Sequence, residues 1–266
     1  MPRTLRKVPL GRLSLSTETQ PTSAPVNQLD KLRFQDFLRS ECGQESPGVP
    51  ELSLLLQSMN LATDDGFLNL AGLLLFAQCP ELAAPHAIVN AERFCDNTAY
   101  SESATDTRTF IGPLCSVFHD ALSFVMGYLH KVQAGRGVNM PGVPEVPKSV
   151  FVEILVNALV HRDYSIDRPI RLSIFENRIE IASPGSLPRN LTVKKIKAGS
   201  SSIRNPILAS CATKGLLPYH GLGSGINRVL KDWPDIEFLN DRKGASFTAI
   251  IRRVDINRMW QRKTLE

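Results

Sequence analysis

VFVEILVNALVHRDY, residues 150–164, is the stretch that decides the fold, because its apolar and polar positions separate at helical spacing. The spacing predicts a helix from Ser149 to His161. Glu153, Asn157 and His161 fall four apart on one side of it, while Ile154, Leu155, Ala158 and Leu159 serve the core. A carboxylate one turn from a carboxamide suits metal-assisted phosphoryl chemistry. The amide oxygen can ligate a hard cation such as Mg2+, and the carboxylate can polarise an attacking water. A solvated polar stripe produces the same spacing, so the helix alone does not choose between the two readings.

Working outward toward the C-terminus, Ile170 to Phe175 and Arg178 to Ala182 alternate around Glu176-Asn177, the signature of a hairpin. The second strand runs into Ser183-Pro184-Gly185, a sharp turn at a strand end, where ligands tend to bind. A long polar loop follows to about Arg204. Its basic residues Arg189, Lys194, Lys195, Lys197 and Arg204 have no acid among them, which suits nucleic acid, a triphosphate or plain solvent. No aromatic residue interleaves with them, so stacking of single strands is unsupported. Two helices are predicted near Asn205 to Thr213 and Ser224 to Trp233. Strands at Ile236 to Leu239 and Ser246 to Arg253 complete the sheet.

The last of these helices opens with GLGSGINRVL, residues 221–230. Gly221, Gly223 and Gly225 leave backbone N–H groups free to approach an anion, and the helix N-terminus adds partial positive charge. A flexible turn has the same composition. No strand immediately precedes the run, so it does not match the dinucleotide fingerprint. No Gly-x4-Gly-Lys-Ser/Thr occurs, which excludes a P-loop motor such as a helicase.

Upstream, residues 1–27 are rich in Ser, Thr, Pro and Gln and read as a flexible lead-in. Helical spacing begins near Asp30, with Leu32, Phe34, Phe37 and Leu38. A second helix is predicted at Glu51 to Met59 and a buried one at Leu70 to Phe76, capped by Asn69. A strand at His86 to Phe94 and a long helix from Phe110 to Lys131 follow. Pro141, Pro144 and Pro147 then mark an extended connector and the domain boundary.

A chain of 266 residues favours two compact units, here 28–140 and 149–255. Its 42% hydrophobic and 21% charged content is ordinary for a soluble protein, and a net charge of +5 permits a phosphate-bearing partner without requiring one. The five cysteines form no Cys-x-x-Cys pair or zinc-ligand spacing and read as buried free thiols of a reducing cytoplasm. The basic N-terminus lacks the apolar core of a secretory signal, and the longest apolar run is far short of the about 20 residues of a membrane span. A cytoplasmic location and no membrane partner follow as expectations.

The order of these signals matters more than any one of them. Glu-x3-Asn on a helix, a strand ending in a glycine turn, and Gly-x-Gly-x-Gly opening a helix together resemble the GHKL (Bergerat-fold) ATP-binding layout. More closely, VNALVHRDYSIDRPIRLSIFENRIEIASPGSLP, SSIRNPILA and HGLGSGINRVL are similar to the C-terminal ATPase-like domain of Schlafen/AlbA-type transcriptional regulators. That family is often labelled "ATP-dependent DNA helicase RecG C-terminal-like". The similarity spans about residues 28–253, and NALVHRDY with RNPILA is its most specific part. It implies an α/β fold, an α+β two-layer sandwich, with an N-terminal mixed α/β domain followed by the ATP-binding domain.

The resemblance further implies that Glu153 is the water-activating base, that Asn157 ligates Mg2+, and that Gly221, Gly223 and Gly225 wrap a triphosphate. The loop from Arg189 to His220 would form a lid, and Ser183 to Gly185 would lie beneath adenine. His161 and Arg162 continue the same face. Arg162 can reach a phosphate or instead pair with Asp163 at the helix end. The wider GHKL pattern has Asp at the Ser183 position, where the carboxylate accepts from the adenine amino group, and a glycine where Leu187 stands. Adenine selectivity and hydrolysis are therefore weaker implications than binding. Trp233 and Phe247 read as core.

The family's N-terminal DNA-binding domain and C-terminal winged helix are not recognised in the sequence, which reads as the core of such a regulator. The leading expectation is an ATP-binding regulatory module that signals to DNA or to another subunit, including a second copy of the chain. The alternative is a non-catalytic interaction, oligomerisation or DNA-binding module with a degenerate nucleotide site.

Overall fold

The computed structural model describes residues 16–42, 49–98, 104–132, 142–219 and 223–253. Regular structure is already present in the described residues before 27. Strand β1 (Pro21–Pro25) pairs antiparallel with β2 (Phe67–Asn69), and the Thr22 hydroxyl donates to the Leu68 carbonyl at 2.7 Å. The lead-in predicted through residue 27 is corrected on its described part, because a fully buried Glu18 fastens it. Both Glu18 carboxylate oxygens accept backbone N–H groups, from Ile207 at 2.9 Å and Leu208 at 3.0 Å.

Helices α1 (Lys31–Cys42) and α2 (Val49–Ser58) bury Phe34, Phe37 and Leu38, and Leu52 and Leu56, respectively. Leu32, read as part of the apolar face, is 74% exposed. Helix α3 (Leu70–Phe76) is buried at every position, as a continuous apolar run requires. The Asn69 side chain starts it by accepting from Gly72 N at 2.9 Å and donating to Asn60 O at 2.6 Å.

The main sheet is built from β3 (Val89–Phe94), β4 (Ala104–Phe110), β7 (Ile170–Ile174), β8 (Arg178–Pro184), β9 (Ile236–Asp241) and β10 (Ser246–Arg252), in the order β4-β3-β7-β8-β10-β9. Only β3 and β7 run parallel, from Val89 opposite Ile170 to Arg93 opposite Ile174. The sheet thus continues across the boundary placed at the proline connector. Within that connector β5 (Lys131–Val132) and β6 (Val143–Pro144) form a short antiparallel pair. Just beyond it Glu145 makes a buried 2.7 Å ion pair with Arg253 at the end of β10.

One face of the sheet is covered by helices. Helix α4 (Leu114–Tyr128) lies over β3, β4 and β7, α5 (Lys148–Val160) over β8, and α8 (Gly225–Asp232) beside α5. Strand alternation turns Ile179 and Ile181 of β8 and Ala249 and Ile251 of β10 toward this layer. The other face is more polar and carries the ion pairs Arg178–Glu180 (2.6 Å) and Arg252–Glu237 (2.9 Å). The result is the mixed α/β, two-layer α+β architecture expected. Short α6 (Val193–Lys197) and α7 (Pro206–Cys211) complete it.

The strand β4 and the helix α6 had no counterpart in the sequence reading. Among the described cysteines all are free, but Cys79 and Cys95 are exposed and only Cys211 is fully buried, which corrects the expectation of buried thiols. Among the described residues no helix is long and apolar enough to cross a membrane.

Candidate functional site

Helix α5 is apolar nearly all round. Phe151, Ile154, Leu155, Ala158 and Leu159 are buried against the sheet and α4, and Val152 packs at the edge of the core. Glu153, Asn157 and His161 face a hollow bounded by α5, the end of β8, the 186–204 loop and the start of α8. The solvated-stripe alternative does not describe this geometry, since the Glu153 side chain is only 12% exposed. The hollow is open to solvent on one side, and its walls combine the polar strip of α5 with apolar strand positions.

Glu153 is engaged at both oxygens. Asn157 Nδ2 donates to Glu153 Oε1 at 2.8 Å and to the Glu153 carbonyl at 2.7 Å, and Arg228 Nη2 meets Oε2 at 3.0 Å. With the Asn157 nitrogen committed, its carbonyl oxygen is the end that can serve a cation. Among the described residues no three His, Cys, Asp or Glu side chains cluster to hold a metal. A Mg2+ ion here would therefore draw most of its ligands from phosphate and water, its usual habit, with Asn157 as the protein donor.

The opposite wall is backbone. Gly223 takes a left-handed φ of +67°, and a Cβ on it would lie 2.9 Å from the Gly199 carbonyl and 3.2 Å from Ser201 Oγ. Gly225, the first residue of α8, sits directly against the Glu153 carboxylate, where any side chain would collide. Both glycines are required by contact, and Gly223 by its backbone conformation as well. Gly221, the third glycine of the run, lies outside the described residues, as does His220 at the end of the expected lid.

At the far end, Ser183 is buried and its hydroxyl donates to the Ala158 carbonyl at 3.0 Å, so its proton is spent on α5. Gly185 has φ +103° and is hemmed in by Asp163 and the Arg204 guanidinium. Arg204 also donates to Ser186 O at 2.6 Å and pairs with Asp163 at 3.6 Å, locking the loop base onto the turn. The lining near this end is apolar: Ile181, Leu187, Phe238, Phe247 and Ala249, with the Phe238 and Phe247 rings stacked at 5.8 Å. Phe247 was read as core, and it is partly buried against the core while also lining the hollow.

His161 lines the hollow and its Nε2 lies 3.0 Å from the Tyr219 hydroxyl. Burial, with the Arg204 charge second, pushes its pKa down to about 4, so it is neutral at pH 7. Arg162 is the sequence-predicted residue that does not join the site. It is 1% exposed, donates to Arg168 O at 2.6 Å and Ile166 O at 3.2 Å, and sits 4.7 Å over the Tyr164 ring. It braces the turn after α5 instead of reaching a phosphate. Of the basic loop only Arg204 lines the hollow; Lys195 donates to Asn190 O, and Lys197 lies 5.8 Å from the Phe238 ring.

Arg228, Tyr219, Phe238 and the run Ser200, Ser201 and Ser202 also line the hollow and were not singled out from the sequence. For Arg228 a signal existed: it follows Gly225 by three residues, which places it on the same side of α8 as the glycine that touches Glu153.

None of the curated proteins matches the chain. Among solved structures it is similar to the DIP2311 protein from Corynebacterium diphtheriae, with a TM-score of 0.65 and 21% identity over 90% of this chain and 48% of that one. The chain thus spans about half the length of that protein, and the likeness is one of fold. Residues 167–249 match the family described as "Putative ATP-dependent DNA helicase recG C-terminal", an ATPase-like domain that here takes in β7 to β9 and most of β10 and leaves α5 outside the matched segment.

Proposed function

We propose that the hollow binds a purine nucleoside triphosphate, ATP with Mg2+, and that the chain acts as the nucleotide-binding regulatory module of a transcriptional regulator. The observation that carries this reading is the shared hollow: the Glu153 and Asn157 stripe and the Gly223–Gly225 backbone line it together. Phosphates would lie against Gly223, Gly225 and Ser201, with Asn157 holding the cation. Bound Mg2+ would neutralise phosphate charge there. The base would lie toward Ser183, Gly185 and the Phe238–Phe247 stack. The loop from Arg189 onward, anchored by Arg204, would carry the state of the site to DNA or to a neighbouring subunit.

Calorimetric titration of Mg-ATP into the protein, repeated with Asn157→Ala and Gly223→Val, tests the reading. Saturable heat in the wild type and its loss in both variants are expected. Equal heat in all three, or none in any, removes ATP binding from the account.

A second reading is favoured by one observation. Ser183 spends its proton on Ala158, and Leu187 occupies the base end, so the site lacks a carboxylate for the adenine amino group. A module that kept the fold and lost the ligand would serve interaction, oligomerisation or DNA binding. It predicts no melting shift with Mg-ATP, whereas ligand at 100 times its Kd stabilises by about 2.7 kcal/mol. Contact with DNA through the basic loop predicts retention on duplex DNA that weakens steeply with salt.

A further inference from the structure

Among the described residues lining the hollow, only Arg204 and Arg228 carry a lasting positive charge. Arg204 is already committed to Asp163 and to the Ser186 carbonyl. Arg228 is different. Its side chain is 47% exposed, it rises from the first turn of α8, and its guanidinium meets Glu153 at 3.0 Å. The acid that would activate water is thus bound to the cation nearest the glycine backbone.

We infer that Arg228 is a positioning residue that exchanges the Glu153 carboxylate for the terminal phosphate of a bound nucleoside triphosphate. This rests on the nucleotide reading above and deepens it. A guanidinium can hold a carboxylate or a phosphate in the same forked geometry, so the exchange needs a side-chain rotation and no refolding. While Arg228 holds Oε2 and Asn157 holds Oε1, each carboxylate oxygen already accepts a hydrogen bond, and a water approaching Glu153 competes for the remaining lone pairs. Transfer of Arg228 to a phosphate frees Oε2. The pair therefore ties release of the acid to arrival of the last phosphate. A nucleoside diphosphate, one phosphate shorter, leaves the ion pair closed.

The test is calorimetric titration of Mg-ATP and Mg-ADP into the full chain and into Arg228→Ala, Arg228→Lys and Glu153→Gln. Loss of one charge-assisted contact predicts that R228A weakens Mg-ATP by about ten- to a hundredfold and leaves Mg-ADP within about twofold. R228K retains part of the preference, as a point charge without the fork. E153Q removes the competitor for the guanidinium and strengthens Mg-ATP, and this gain shrinks when R228A is added. Equal weakening of both nucleotides by R228A, or an E153Q gain indifferent to Arg228, overturns the exchange while leaving nucleotide binding intact. A wild-type chain that binds neither nucleotide overturns both.

Discussion

Replacing Gly225 by alanine isolates the contact on which the site is built. Gly225 opens α8, where alanine is the better helix former by roughly 0.5–1 kcal/mol. Propensity alone therefore predicts a more stable protein. The structure predicts the reverse, because a Cβ at 225 would overlap the Glu153 carboxylate. That carboxylate cannot step aside freely, being held by Asn157 at 2.8 Å and Arg228 at 3.0 Å and largely buried. Overpacking of this kind costs about 1–3 kcal/mol, which exceeds the propensity gain. The expected net loss is about 1–2 kcal/mol, roughly 2–8 °C in Tm for a chain of this size.

The decisive measurement is a double-mutant cycle by urea unfolding. In a Glu153→Ala background the obstacle is gone, so Gly225→Ala should stabilise by roughly 0.5–1 kcal/mol. The sign of one substitution thus depends on a residue far away in sequence. The same change in stability in both backgrounds would refute the contact argument, since distant independent sites add to within about 0.5 kcal/mol.

Other consequences concern the scaffold. His161 is neutral in the fold, with burial lowering its pKa to about 4 from its ordinary value of 6.5. The unfolded chain therefore binds more protons between those values, and stability is kept above pH 6.5 and lost as pH falls toward 4. That amounts to about 2 kcal/mol by pH 5, so urea midpoints at pH 7.5 and pH 5 should lie closer together for His161→Gln than for the wild type. Glu145→Ala leaves the Arg253 guanidinium buried beside a vacated site and should cost about 3–5 kcal/mol; a loss under about 1 kcal/mol by thermal melting would show the pair to be no more than a surface bridge. Glu18→Ala strips two N–H groups at the start of α7 of their acceptor and should cost about 1–3 kcal/mol. An unchanged melting curve for that variant would restore the reading of residues before 27 as a loose lead-in.

The parts of the fold legible in the sequence are those whose signal is local. Helix α3 was readable because Asn69 caps a run too apolar for any surface, and the β7–β8 hairpin because alternation reverses around Glu176-Asn177. Strand β4 was missed because ATDTRTF lies at the sheet edge and buries only Phe110, so no hydrophobic period marks it. Strand β1 was missed for a related reason. It is bounded by prolines, and its partner β2 lies on the far side of α1 and α2 in sequence. In the site, periodicity identified Glu153, Asn157 and His161 but misplaced Arg162, whose neighbour relation on the chain turns it around the helix and into the turn that follows. The serines at 200–202 answer to no period, and the i+3 relation of Arg228 to Gly225 gains meaning only once α8 closes on α5; the approach of α8 and the loop to α5 brings them into the hollow.

That approach explains why one cavity carries two unlike walls. Helix α5 is so apolar that its other faces are taken by the sheet and α4, and the strip from Glu153 to His161 is left to bound whatever comes next. Gly225 lets α8 close on that strip near Glu153 and brings backbone amides and Arg228 with it. Toward Ser183, β8, β9 and β10 contribute Ile181, Phe238, Phe247 and Ala249 instead, since inward-facing strand positions at the sheet are apolar. A ligand that is charged throughout would leave the aromatic end unsatisfied, and one that is apolar throughout would strand Arg228 and the glycine backbone. A flat ring joined to a short anionic tail satisfies both walls, and in a single orientation. Removing the stacked ring by Phe247→Ala should then weaken nucleotides while sparing inorganic triphosphate, whereas Gly223→Val should weaken both. Competition titrations with the two probes distinguish the walls, and an equal loss of both probes in Phe247→Ala would refute the division.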